Sequence, residues 1–170
     1  MRKHNGMRPQ DIAILLKVVA LGDQPWLLSG LAGSLGVSVS EISESLNRDR
    51  MAGLIDYGKK KINRQNLFEF IQHGVKYVFP LQPGPVVRGI PTAHSHSFMK
   101  EMFASDSDYI WPDNKGNTLG ESIEPFYPKQ VEAAKQDEVY YKLLALVDVI
   151  RIGRVREVKY AIEELKKYLL

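Results

Sequence analysis

Between Leu28 and Arg48 the chain reads LSGLAGSLGVSVSEISESLNR, and this stretch restricts the fold more than any other. Leu28, Leu31, Ala32 and Leu35 recur at helical spacing, which predicts a short helix over about 28–35 with one apolar stripe. Ala32 falls where a second helix would cross closest, so a small side chain is needed there. Gly36 follows four residues later, where a tight turn calls for a left-handed backbone that glycine adopts without penalty. Ser38-Val39-Ser40-Glu41 has the pattern of a capping box, so a second helix starts at Val39 and runs to about 52. Ile42 and Leu46 then turn inward onto the first helix. Two helices joined by a tight Gly-containing turn make a helix-turn-helix, whose second helix enters the major groove of DNA.

The flanks extend this unit. Residues 1–8 read as a loose arm. Pro9 suits the first turn of a helix, where its missing N–H costs little. Ile12, Leu15, Leu16, Val19 and Ala20 give an amphipathic helix over about 9–21, closed by Gly22. After Gly53, Leu54–Tyr57 reads as a short strand, Gly58–Lys61 as a basic turn and Ile62–Arg64 as the return strand. Three helices followed by a hairpin is the winged-helix order. A fourth helix is expected over about 66–73, with Leu67, Phe68, Phe70 and Ile71 apolar. Beyond Gly74, Val75–Phe79 has strand composition.

From residue 80 to residue 128 the character changes. Seven of the nine prolines lie here, so regular structure should be sparse, with a short helix at Ser97–Phe103. Val86, Val87, Ile90, Phe98, Phe103, Tyr109, Trp111, Phe126 and Tyr127 are too apolar for a disordered linker. The segment is expected to be ordered, irregular and draped over other elements, with Trp111 as a buried anchor. From Lys129 the pattern is helical again. Tyr140, Leu143, Leu144, Val147 and Ile150 form one stripe. After Gly153, Val155, Val158, Ile162, Leu165 and Leu169 form a second, at the 3-4 spacing of a face suited to a helical partner. It packs on its own chain, on a second copy or on another protein. Arg151, Arg154 and Arg156 cluster at the break, within reach of DNA, of acids such as Asp148 and Glu157, or of an acidic partner.

The expected fold is therefore mainly α with a small β wing. A winged helix-turn-helix occupies 1–79, an irregular Pro/Gly-rich segment 80–128 and a C-terminal helical pair 129–170. An apolar fraction of 44% over 170 residues is enough for a core. The absence of cysteine excludes disulfides and zinc fingers and fits a reducing compartment. No apolar run approaches a membrane span, and no signal-peptide core follows the basic N-terminus, so a cytoplasmic location is expected. Residues 1–66 hold 10 Lys/Arg against 6 Asp/Glu, whereas residues 67–170 hold 13 against 14. The excess positive charge thus belongs to the helix-turn-helix half, where a polyanion would need it.

Helical geometry from Val39 turns Ser40, Glu44 and Asn47 outward, with Ser43, Arg48 and Arg50 on the flanks. Ser, Asn and Arg donate to base edges or phosphates, and Glu accepts from cytosine. Glu41 suits the positive end of the helix dipole instead. Lys59, Lys60 and Lys61 occupy the tip of the hairpin, with Arg64 just beyond, placed for phosphates or an adjacent minor groove. These features resemble a bacterial winged helix-turn-helix of the MarR kind over about residues 9–75. The resemblance implies base or phosphate contacts from Ser40, Ser43, Asn47 and Arg48, and wing contacts from Lys59 to Lys61. The chain departs from that family after residue 75, where the proline-rich segment stands in place of the long helices that build the family's dimer.

The resulting expectation is a sequence-specific DNA-binding transcriptional regulator, a homodimer on double-stranded DNA. The alternative is a protein-interaction module, such as an antitoxin-like protein that holds a partner through its C-terminal helices. An enzyme is not expected. His94 and His96 are two apart in a loop, with Asp106, Asp108 and Asp113 nearby, and this is too weak a pattern for a metal site. Ser95 and Ser97 lack a nucleophile-elbow context. No phosphate-binding or dinucleotide loop occurs, so no cofactor is expected.

Overall fold

The structure, a computed structural model, describes residues 6–170. Of the expected N-terminal arm, residues 1–5 lie outside the described residues. The first three helices are α1 (Pro9–Leu21), α2 (Leu28–Leu35) and α3 (Val39–Met51), each close to the bounds that periodicity predicts. Pro9 opens α1, and Gly22 closes it at φ +64°. Gly36 ends α2 in the left-handed region at φ +68°, which turns the chain sharply into α3. Ser38 caps α3: its Oγ accepts from the Glu41 N–H at 3.2 Å, and the Glu41 carboxylate accepts from the Ser38 N–H at 3.2 Å. Ile42 and Leu46 are buried, as the inward face requires.

The hairpin after α3 is smaller than the sequence predicts. One antiparallel bridge, Ile55 to Ile62, replaces the two expected strands. Two flanking backbone bonds hold it, from Asp56 N–H to the Lys61 carbonyl and from Asn63 N–H to the Leu54 carbonyl. Helix α4 (Arg64–His73) follows. Val75–Phe79 is not a strand but the short helix α5 (Val75–Val78). The correction has a simple cause. Val75 and Phe79 are both buried and lie four apart, a helical spacing, and the Phe79 N–H donates to the Val75 carbonyl at 2.9 Å.

The proline-rich segment carries more regular structure than expected. Strands β1 (Val86–Pro91), β2 (Tyr109–Pro112) and β3 (Thr118–Ser122) close on one another. Strand β1 pairs antiparallel with both others, Ile90 opposite Trp111 and Val87 opposite Gly120. Strands β2 and β3 pair in parallel, Tyr109 opposite Glu121. Two of the prolines end strands, where a missing N–H is tolerated. Gly89 is required by the tight closure, because a Cβ there would meet the Trp111 carbonyl oxygen at 2.1 Å. The expected helix at 97–103 is reduced to α6 (Ser97–Lys100).

Three helices, rather than two, complete the chain: α7 (Gln130–Lys135), α8 (Glu138–Ile152) and α9 (Val155–Leu169). Asp137 caps α8, its carboxylate accepting from the Tyr140 N–H at 3.0 Å. Helix α8 is buried from Leu143 to Ile150 without a break, so it is the central helix of the molecule. It packs on α1, α5, α7 and α9. One apolar cluster therefore runs from Ile12 through Ile42, Leu67 and Trp111 to Leu165. Each fully buried Leu or Ile in it contributes about 1.5–3 kcal/mol relative to exposure.

A polar staple ties the middle segment to this helix. The fully buried Asp148 carboxylate accepts from Thr92 Oγ1–H at 2.8 Å, from Trp111 Nε1–H at 2.8 Å and from Arg151 Nη1–H at 3.1 Å. Arg151 also donates to the Phe79 carbonyl at 2.8 Å and lies over the Phe126 ring. Burial raises the Asp148 carboxyl above its ordinary range, against the pull of Arg151 and its hydrogen bonds.

The C-terminal part of the α9 stripe is taken up by its own chain. Leu165 and Leu169 are buried, Val158 and Ile162 are half-buried against the core, and Val155 is exposed. Among the described residues, no helix is long and apolar enough to cross a membrane.

Candidate nucleic-acid interface

The outward side of α3 and the hairpin tip form one continuous surface. Ser40 and Glu44 are exposed on α3, and Ser43, Asn47 and Arg50 are half-buried. Ser40 Oγ lies 3.1 Å from Ser38 Oγ, which is itself engaged with the Glu41 carboxylate at 3.1 Å. Lys59 reaches from the tip to α3, donating from Nζ to Asn47 Oδ1 at 3.0 Å. That bond links the two elements. It also sets the chemistry of Asn47. With its carbonyl on Lys59, the amide presents donors, suited to a phosphate or base acceptor. Reading adenine bidentately would require Lys59 to let go.

The tip is shaped by Asp56. Its Oδ1 accepts from the N–H groups of Lys60 and Lys61 at 2.7 and 2.9 Å, and its carbonyl accepts from the Lys59 N–H at 3.0 Å. The N–H groups of Lys61 and Lys60 hold the Asp56 carboxyl below its ordinary range. Lys59 sits in the left-handed region at φ +56°, a conformation that a non-glycine residue adopts only where its surroundings impose it. The three lysines therefore stand on a backbone held by Asp56 through its carboxylate and its main-chain N–H and carbonyl groups.

Aromatic residues that the sequence pattern does not assign to the site flank it on both sides. Lys60 Nζ stands 4.8 Å from the centre of the Trp26 ring, and the Arg50 guanidinium 5.1 Å from that of the exposed Tyr57. An Arg or Lys within about 6 Å of an aromatic face is attracted by the ring quadrupole. Tyr57 stands directly before the turn glycine, which is the signal that could have found it. Trp26 comes from the α1–α2 connection and is brought in only by the fold. A groove of about 630 Å³ separates that connection, Gly22–Trp26, from Lys60–Arg64.

Two residues expected in the interface are committed elsewhere. Arg48 turns inward to α1, donating from Nε to Asp11 Oδ2 at 2.8 Å and from Nη2 to Asp11 Oδ1 at 2.7 Å. Asp11 is fully buried and also accepts from Ser45 Oγ–H at 2.7 Å and the Arg8 N–H at 2.8 Å. The hydrogen bond to Asp11 raises the Arg48 pKa, so this guanidinium serves the α1–α3 junction. Beside it, Asp49 is buried, and neither of its side-chain oxygens has a hydrogen-bond partner among the described residues. Burial and the neighbouring Asp11 push the Asp49 carboxyl up to about 9, so it carries its proton at neutral pH. Arg64 turns to the last helix and donates to the Tyr168 carbonyl at 2.6 Å. Among the described residues, the other expected site residues, Ser40, Ser43, Glu44, Asn47, Arg50 and Lys59 to Lys61, make no such tie to α1 or α9.

The histidines of the middle segment have structural partners. His94 Nε2 lies 2.8 Å from the Ser107 carbonyl oxygen, and His96 Nδ1 accepts from the Phe98 N–H at 3.3 Å. Their rings pack edge-on against Tyr109 and Tyr141. Burial, with Lys142 nearby, lowers the His96 pKa to about 4. Among the described residues, no group of three or more His, Cys, Asp or Glu is placed to hold a metal ion. Comparison of the chain with family models, curated proteins and solved structures returns no match.

Proposed function

We propose that this protein binds double-stranded DNA as a winged helix-turn-helix transcriptional regulator, with α3 in the major groove and the lysine tip on the adjacent backbone. The observation that carries this reading is the bond between Lys59 and Asn47. It joins a cationic tip to the outward face of a capped helix. Phosphate contacts from Lys59 to Lys61 would position the protein, and Asn47 with the hydroxyls of Ser40 and Ser43 would meet base edges or phosphates. Arg50, stacked on Tyr57, would add a further cation at the far end of α3. Leu165 and Leu169 of the α9 stripe are covered by their own chain while Val155 is exposed, so pairing of two copies on a symmetric site would use the open end of α9 or another face.

Fluorescence anisotropy with short duplex DNA over a range of salt concentrations tests the proposal. Changing Lys59, Lys60 and Lys61 to Ala should weaken binding to every sequence. The log–log salt slope should flatten by about 0.9 for each phosphate that is no longer neutralised. An unchanged slope in a folded variant would refute the lysine tip as a DNA contact.

A further inference from the structure

We propose that Lys129, which belongs to the C-terminal part of the chain, is a phosphate contact beside the start of α3. The proposal rests on the DNA-binding reading and extends its surface beyond the helix-turn-helix.

The turn between α2 and α3 is not bare. A Cβ built on Gly36 would lie 3.2 Å from Lys129 Cβ, 3.3 Å from its Cγ and 3.8 Å from its Cδ. The aliphatic stem of Lys129 is therefore laid along the turn, two residues before the Ser38 cap. Gly36 meets two demands at once, a left-handed backbone and room for this stem. Long cationic side chains bury their methylenes in this way and keep the charged end in water. The Lys129 side chain is 56% exposed, and its ammonium pairs with Glu132 at 3.4 Å. Glu132 is itself 69% exposed, and such surface pairs contribute little, so the ammonium is readily exchanged to a phosphate.

The delivery of Lys129 is rigid. Helix α7 packs on α2, with Val131, Ala133 and Ala134 buried. One residue beyond Lys129, the buried Gln130 side chain accepts from the Phe126 N–H at 3.0 Å and closes the corner that leads into the helix. In a docked helix-turn-helix the N-terminal residues of the second helix meet base edges and the first helix crosses the backbone, so a cation on the turn between them would lie within reach of a phosphate. A cation held on that turn lies at the opposite end of α3 from Arg50. It gives the surface a basic group at each end of the helix.

The test uses the full chain and a short random-sequence duplex, because phosphate contacts are independent of sequence. Lys129→Met removes the charge and keeps the stem on Gly36, Lys129→Gln repeats the neutralisation with a polar end, and Lys129→Arg keeps the charge. Both neutral variants should flatten the log–log salt slope by about 0.9, and the Arg variant should match the wild type. Thermal melting should be nearly the same for all four proteins. If both neutral variants match the wild type in affinity and slope while Lys59→Met does not, the Lys129 assignment is overturned and the DNA-binding reading stands. If the wild-type chain binds no duplex at low salt, both fall together.

Discussion

Arg48 and Asp11 join α3 to α1 through two parallel charge-assisted hydrogen bonds of 2.8 and 2.7 Å, with the carboxylate fully buried and the guanidinium side chain 10% exposed. A planar fork against a carboxylate is the strongest geometry available to such a pair. Removing one partner leaves the other charge buried alone. Arg48→Ala should therefore cost about 3–5 kcal/mol of stability, read as a lower urea midpoint. Arg48→Lys should recover only a fraction, because an ammonium cannot fill both positions. A fully stable Arg48→Ala protein with weakened DNA binding would instead return Arg48 to the interface.

Asp49 gives the molecule a pH dependence of known sign. Its folded pKa of about 9 lies far above the ordinary carboxyl value, so the native state retains a proton that the unfolded chain releases. The contribution is fully present below about pH 4 and is lost as pH rises toward 9. Asp49→Asn removes the titration. It should leave stability near wild type at about pH 4 and raise it by several kcal/mol, on the order of 5, at about pH 8, at roughly 1.4 kcal/mol for each pH unit between the two pKa values. A stability difference that does not change between the two pH values would contradict a buried, protonated Asp49.

The Asp148 staple should control the order of residues 80–128. Asp148→Ala leaves Arg151 buried without its carboxylate and releases Thr92 and Trp111. A loss of about 3–5 kcal/mol is expected, with new protease cleavage between β1 and β3 before any within α1–α3. Cleavage spread evenly along the chain would mean that the network holds the whole core rather than this segment.

Leu165 distinguishes self-packing from assembly. It is fully buried within its own chain, so Leu165→Ala should cost about 2–5 kcal/mol at every protein concentration. A destabilisation that disappears as protein concentration rises would point to burial between copies.

The features legible in the sequence are the local ones. Helix periodicity, the Ser38–Glu41 cap and the left-handed Gly36 depend on neighbours within a few residues, and α1 to α3 follow them closely. Val75–Phe79 departs from its strand composition because β-branched and aromatic residues form a strand only where a partner strand exists, and α8 lies there instead. The three strands of the middle segment are invisible for the converse reason. Their pairing joins residues such as Ile90 and Trp111, which no local pattern connects. Arg48 shows the same limit at the site. Turning the helix by about 100° per residue puts it on the flank of the outward face. Only a carboxylate 37 positions away decides which way it swings. Asp11, an acid set directly before the apolar run of α1, is the one available hint.

The two tryptophans of the chain occupy opposite environments, and this divides its light emission into two channels. Trp111 is sealed in the core with its indole N–H on Asp148, whereas Trp26 is half-buried under Lys60 at the hairpin. Iodide, drawn by the lysine tip, should quench the Trp26 component and leave the Trp111 component untouched. Shielding from iodide then reports what covers the hairpin, and a red shift of the unquenched emission reports loosening of the core. One unlabelled sample can thus follow surface occupancy and internal packing independently.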